Sequence, residues 1–204
     1  MLNPDRPRRI SSRIGAAVLA ALLASAAPAR GELLRHTTEY RVNPIKGTTP
    51  AELWRSMAAR PIIDEDGPAL ANITHDHKLA VKTTNSGKGC RVDGLDFTWR
   101  FVITLPKAVD EAGMSAATRG MWREFMSYLK RHEEHHRTIF LACGKDFLAK
   151  AARITAAGNC RGLERKVRKF IDKQYEACMA RQRQFDRDEK QSVAGLALRR
   201  AYRK

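Results

Sequence analysis

The stretch Asp96-Phe97-Thr98-Trp99-Arg100-Phe101-Val102-Ile103-Thr104-Leu105-Pro106 divides the chain into two kinds of sequence. Phe97, Trp99, Phe101 and Ile103 alternate with Thr98, Arg100, Val102 and Thr104, the period of a strand with one buried face. Pro106 is expected to stop that strand. Ahead of it, Thr38 to Val42 alternates and Pro44 to Thr49 reads as a turn. Thr49-Pro50-Ala51-Glu52 then opens a short helix to about Arg60, with Thr49 as N-cap, Pro50 at the first helical position and Glu52 at the third. Asp64 to Pro68 reads as a loop. Ala69 to Thr84 and Arg91 to Leu105 are strand segments joined by Asn85-Ser86-Gly87-Lys88-Gly89, a loop suited to a hairpin.

After Pro106 the pattern is helical. Ser115 can cap a helix in which Trp122, Phe125, Met126, Leu129, Ile139, Phe140 and Cys143 recur at three- and four-residue steps. Ala157-Gly158-Asn159 breaks it, and a second long helix runs from about Arg161 to Asp188. Two long helices with a short break fold back as an antiparallel hairpin. The expectation is an α+β domain: a small antiparallel sheet packed against one helix, followed by a long antiparallel helical hairpin. Its strand-rich part covers 38–106 and its helical part 113–190, within a domain of residues 30–195 followed by a basic tail, 196–204.

Composition narrows the class. The chain has 204 residues, 43% apolar and 29% charged, enough to bury one core and too apolar for wholesale disorder. No stretch approaches the roughly 18–20 consecutive apolar residues of a membrane span. No glycine-rich phosphate loop suggests a nucleotide cofactor. Residues 1–29 read as a signal peptide, with basic Arg6, Arg8, Arg9 and Arg13, the apolar run Ile14 to Ala24, and Ala27-Pro28-Ala29 as cleavage site. A periplasmic or secreted location follows, where cysteines oxidise. Cys90, Cys143, Cys160 and Cys178 include no Cys-x-x-Cys pair, and they allow three connectivities. The hairpin pivot near Asn159 sets Cys143 and Cys178 at similar distances on either side, which favours Cys143–Cys178 and leaves Cys90–Cys160.

The chemistry is concentrated in Arg131-His132-Glu133-Glu134-His135-His136-Arg137. It contains His132-Glu133-x-x-His136, and residues i and i+4 of a helix share a face, so both imidazoles can bind one zinc ion. The glutamate between them can act as general base on the zinc-activated water that cleaves a peptide. His132, Glu133 and His136 fall on the stripe that carries Trp122, Met126, Leu129, Ile139 and Cys143. Burying them there requires partners, which a metal supplies. His135 points about 100° away and reads as a solvated residue. His75 and His77 share one face of a strand and read as structural.

The order Tyr40-Arg41-Val42, Gly47-Thr48-Thr49, Leu53, Gly67-Pro68, Thr74, Cys90-Arg91-Val92, Thr104-Leu105-Pro106, Trp122 and His132-Glu133-x-x-His136 resembles a bacterial domain-of-unknown-function family described as predicted secreted zinc-dependent proteases. The resemblance covers about Tyr40 to Gly195. It implies an exported, zincin-like α+β domain with His132 and His136 as zinc ligands and Glu133 as base. One position departs. Family members place a further histidine after the second helix, in a Tyr-Asp…Thr-x-His-Gly tract. Here the tract reads Phe185-Asp186-Arg187-Asp188-Glu189-Lys190-Gln191-Ser192, with Gln191 where that histidine falls. A catalytic zinc site needs three protein ligands. The hairpin register brings residues near 184 opposite His132 and His136, so Asp186, Asp188 and Glu189 are the candidate third ligands.

Charge raises a second possibility. The formal net charge is +16, and residues 150–204 hold 16 Lys and Arg against 6 Asp and Glu. Arg161, Arg165, Lys166, Arg168, Lys169 and Lys173 form a stripe on the second long helix. Such a stripe is commonly a solvated face. It can also bind an anionic envelope surface. No helix-turn-helix or zinc-finger spacing and no interleaved aromatics point to specific nucleic-acid binding. Two functions therefore stand side by side. The first is an exported zinc metallopeptidase acting on a peptide or protein substrate. The second is a non-catalytic, basic, envelope-binding protein on the same fold that has lost the third metal ligand.

Overall fold

A computed structural model describes residues 31–64, 67–85, 87, 89–157 and 159–203. The expected signal peptide, 1–29, lies outside the described residues. The elements run β1 (Gly31–Ile45), α1 (Pro50–Ala59), β2 (Ile62–Asp64), β3 (Gly67–Ala69), β4 (Asn72–Asn85), β5 (Cys90–Ala108), a 3-10 turn (Glu111–Gly113), α2 (Ala116–Ala151), β6 (Thr155–Ala156), α3 (Cys160–Ala194) and α4 (Ala197–Tyr202). The α+β class expected from the sequence is the one observed.

β5 organises the sheet because its alternation is the strongest. Phe97, Trp99, Phe101 and Ile103 are almost wholly buried on one face, and the strand takes the centre of the order β1-β5-β4. The short 86–89 connection makes β4 antiparallel to β5, from Asn72 opposite Thr104 to Asn85 opposite Cys90. β1 fills the other edge of β5 in parallel, from Gly31 opposite Gly94 to Ile45 opposite Ala108. The sheet is therefore mixed, which corrects the expectation of an antiparallel one. β4 begins beside the end of β5, so α1 and the β2–β3 hairpin stay at that end and β1 enters from the same side as β5.

Three further local expectations are corrected. Pro106 does not end β5, which runs on to Ala108. The pairing with β4 reaches only to Thr104, so beyond it one side of β5 no longer needs ladder donors and a proline fits there. Within the expected loop Asp64 to Pro68, Asp64 pairs with Gly67 and Pro68 with Ile63, so these residues belong to the β2–β3 strand pair. Within the expected basic tail, residues 196–203 are not loose: α4 packs back on the domain, with Leu196 and Leu198 buried and Tyr202 stacked on Trp54 at 5.6 Å. The apolar spacing Leu196, Leu198 and Tyr202, set among arginines, supplies the anchors.

The helices start where their caps dictate. The Thr49 hydroxyl accepts from the Glu52 backbone N–H at 3.3 Å, and the Glu52 carboxylate accepts from the Thr49 N–H at 3.1 Å, a closed capping box. Ser115 Oγ accepts from the Thr118 N–H at 3.1 Å, and Asn159 Oδ1 accepts from the Gly162 N–H at 2.9 Å. Phe140, Phe147, Leu148, Leu163, Val167 and Ile171 from α2 and α3 cover the apolar face of β5. Gly144 sits in mid-helix because β1 and β5 press close there: a Cβ would meet Trp99 Nε1 at 2.9 Å and Leu34 Cδ1 at 3.0 Å. A second core joins α1, the first half of α2 and α4 through Leu53, Met57, Trp122, Phe125, Leu129 and Leu198.

Two disulfides close the frame. Cys143–Cys178 joins α2 to α3 with a Cα–Cα distance of 6.0 Å, and Cys90–Cys160 joins β5 to the first residue of α3 at 5.2 Å. They are consistent with a non-cytoplasmic protein. Among the described residues, no helix is long and apolar enough to cross a membrane.

The docking of α4 gives a direct check. Leu198 is fully buried, so Leu198→Ala is expected to cost about 2–4 kcal/mol in urea unfolding. A loose tail would leave the midpoint unchanged.

Candidate metal centre

α2 carries an apolar stripe that is interrupted once. Trp122, Phe125 and Leu129 lead into it and Phe140, Cys143 and Phe147 follow, while between them Glu133 and His136 are buried at 4% and 7% exposure. His132 is half-buried on the same side, and His135 is exposed. The opposing turns of α3 supply Gln182, Phe185 and Asp186. Phe185 stacks on His132 at 4.8 Å, lies edge-on to His136 at 4.9 Å and touches the His135 ring at 4.3 Å. Tyr128 stacks on the other side of His132 at 6.0 Å.

The hairpin register brings three acceptor atoms together. His136 Nε2 lies 2.9 Å from Asp186 Oδ1, His132 Nε2 lies 3.3 Å from the same oxygen, and the two Nε2 atoms are 3.1 Å apart. Of the three candidate carboxylates, Asp186 alone joins this cluster. Glu189 accepts from the Tyr128 hydroxyl at 2.9 Å, and Asp188 accepts from Gln184 at 2.7 Å. Gln191 is exposed in the last turns of α3. Among the described residues, His132, His136 and Asp186 form the one His/Cys/Asp/Glu group placed to hold an ion.

Gln182, which the sequence reading did not single out, decides the protonation of His136. Its side-chain N–H donates to the His136 carbonyl at 3.1 Å, which turns Gln182 Oε1 toward His136 Nδ1 at 2.7 Å. Oε1 only accepts, so Nδ1 must carry the proton. The Nε2 of the neutral ring then presents a lone pair to a carboxylate oxygen. Acceptor facing acceptor at that distance is stable only with a cation between them, either a proton or a metal ion. Gln182 stands one helical turn before Asp186, the spacing that would have revealed it.

The titrations follow from the same arrangement. Burial raises Glu133 to about 7, His132 and His136 oppose the rise, and Asp64 and Asp186 add to it. Burial alone would lower His136, but its hydrogen bonds to Asp186 and Gln182 and the charges of Asp186 and Glu133 prevail and raise it. For Asp186 burial pulls upward, and the hydrogen bonds and charges of His132 and His136 hold it well below the usual carboxylate range.

A cleft of about 430 Å³ opens on the cluster. Its walls include Asp64, Thr74 and His75 on the strand side and Tyr128, Glu133 and Arg183 on the helical side. His75 and His77 do not join the group formed by His132, His136 and Asp186. His75 Nε2 lies 2.6 Å from the Tyr175 hydroxyl, against Phe140 and Trp99, and His77 stacks on Phe97. The basic stripe is partly consumed within the fold: Arg168 pairs with Glu164 at 2.9 Å, and Lys166 donates to the Thr155 carbonyl at 3.1 Å. Arg161, Arg165, Lys169 and Lys173 remain exposed along α3.

The fold and the site define an α+β domain with a histidine–histidine–carboxylate cluster split across a helical hairpin. The chain belongs to the family described as Bacterial protein of unknown function (DUF922), which it matches over residues 40–192. No curated protein and no solved structure matches the chain. The family span includes every member of the cluster and ends before α4.

His75 carries a pH test. Burial, with the charge of His77 adding to it, lowers its pKa from 6.5 to about 4, while Asp76 and Asp64 pull the other way. Between those values the unfolded chain binds the extra proton, so the contribution is complete above about 6.5 and is lost as pH falls toward 4. The thermal midpoint should decline across that window, and His75→Phe should flatten the decline.

Proposed function

We propose that this chain is an exported zinc-dependent peptidase in which His132, His136 and Asp186 hold the metal and Glu133 is the general base. The observation that carries the reading is the convergence of His132 Nε2, His136 Nε2 and Asp186 Oδ1, with the His136 lone pair aimed at the carboxylate by Gln182. The donor set fits zinc. Tetrahedral zinc with bonds of about 2.0–2.1 Å separates its ligands by about 3.4 Å, and the edges here are 2.9, 3.1 and 3.3 Å. Two imidazoles and one carboxylate make a normal catalytic set with a position left open. Asp186 takes the place of the histidine that Gln191 replaces.

A zinc ion held there supplies Lewis acidity, which polarises the scissile carbonyl and acidifies water. The residues do the rest. Glu133, buried between the two histidines, takes a proton from the attacking water on a carboxylate oxygen and delivers it to the departing amine nitrogen. Gln182 holds the His136 Nδ1 proton and so fixes that ring's orientation. Tyr128 and Phe185 sandwich the His132 ring. The signal peptide expected from residues 1–29 and the two disulfides support action outside the cytoplasm. A non-catalytic, envelope-binding role for the basic stripe finds less support, because Asp186 supplies the ligand whose absence motivated it.

The test is zinc content followed by turnover. Tag-free protein should retain about one zinc per chain, and His132→Ala/His136→Ala none. Asp186→Ala should lose zinc while Glu189→Gln and Asp188→Asn keep it; equal loss in all three would reject Asp186 as ligand. Gln182→Leu should weaken zinc binding by about ten- to a hundredfold. Glu133→Gln should bind zinc normally and abolish hydrolysis of a peptide library; undiminished hydrolysis would overturn the mechanism.

A further inference from the structure

α4 brings a second wall to the candidate centre. Its fold-back buries Leu198 and sets the Arg199 guanidinium over the Trp54 ring at 5.6 Å. A smaller cavity of about 280 Å³ results, lined by His132, Asp186, Glu189, Lys190, Val193 and Arg199. His132, Asp186 and Val193 also line the larger cleft, so two of the three candidate ligands lie where the two cavities meet.

The smaller cavity carries two carboxylates and two cations, and both carboxylates are engaged by other groups. Asp186 is committed to the two histidines, and Glu189 accepts from Tyr128. Among the described residues, neither Lys190 nor Arg199 pairs with a carboxylate. Two cations therefore face a pocket that opens on the ligands. Trp54 holds the planar guanidinium in place by a cation–π contact, which lowers the entropy lost when it binds. A planar fork of N–H donors suits a carboxylate, which it can grip through two parallel bonds. Arg199 reaches the cavity from α4, a helix outside the family span.

We propose that Lys190 and Arg199 form a subsite for the terminal carboxylate of the substrate, so that the enzyme trims peptides from their C-terminal end. The trimming rests on the peptidase reading; the carboxylate binding does not. In the reaction, water adds across the last peptide bond and the C–N bond breaks. The shortened peptide gains a carboxyl group, and the released residue leaves as a free amino acid.

The experiment titrates N-acetyl-Phe-Ala-Phe, as free acid and as C-terminal amide, into full-length zinc-loaded Glu133→Gln protein by calorimetry. The acid is expected to bind about tenfold more tightly than the amide. Adding Lys190→Gln/Arg199→Met, which keeps an aliphatic stack on Trp54, should erase that preference at unchanged zinc content. Arg199→Lys should retain only part of it, because lysine keeps the charge and lacks the planar fork. Equal binding of acid and amide, or a preference that survives loss of both cations, would overturn the subsite. Inorganic phosphate is the competing oxyanion, and tighter binding of phosphate than of the acid would overturn the assignment to carboxylate. Preference for the acid in a chain that holds no zinc would reject the zinc reading and leave the subsite standing. Zinc bound without any preference would do the reverse.

Discussion

The register of α3 against α2 is the constraint on which the site depends. The cluster is split, with two members on one helix and one on the other, so neither helix can assemble it alone. A slip of one residue would turn Asp186 by about 100° and slide it by about 1.5 Å, enough to face it away from both histidines. Several devices hold the register. Asn159 caps α3 at the turn, Cys143–Cys178 clamps the pair, and Gln182 bonds His136 twice, through ring and carbonyl. Phe185 packs against both rings.

The position of the cluster also follows from packing. α2 serves two cores. Its first half meets α1 and α4 through Trp122, Phe125 and Leu129, and its second half meets the sheet through Phe140, Cys143 and Phe147. His132, Glu133 and His136 fall at the junction. A polar seam is least costly there, because the two apolar bodies meet imperfectly and leave a cleft. Carboxylates and imidazoles at this seam can be buried and still be reached.

Much of this architecture was legible because it rests on local rules. The β5 alternation, the Thr49–Glu52 box, the Ser115 cap and the break before Asn159 each state their own structure. Counting outward from the pivot was enough to bring Cys143 to Cys178 and to point near residue 184. It could not choose among Asp186, Asp188 and Glu189, because that choice turns on about 100° of helix phase per residue. The parallel placement of β1 was hidden for a different reason. Alternation says which face of a strand is buried and nothing about which edge it joins. Pro106 misled because a strand that has lost one neighbour tolerates a missing N–H. Reading 196–204 as a basic tail gave its arginines more weight than Leu196 and Leu198, the residues that dock it.

The crosslink between α2 and α3 divides α3 into unequal halves. Before Cys178 the helix is riveted to the sheet through Leu163, Val167 and Ile171 and is stapled at both ends. Beyond Cys178 it is highly charged, and Gln182 is its one buried residue. That outer half, a lever of about 24 Å at 1.5 Å per residue, carries both Asp186 and Lys190. Less apolar packing backs it than backs the inner half, so its backbone amides should exchange with solvent sooner than those before the crosslink. A ligand held by residues of both helices would slow that exchange, which ties the motion of the outer half to occupancy of the site.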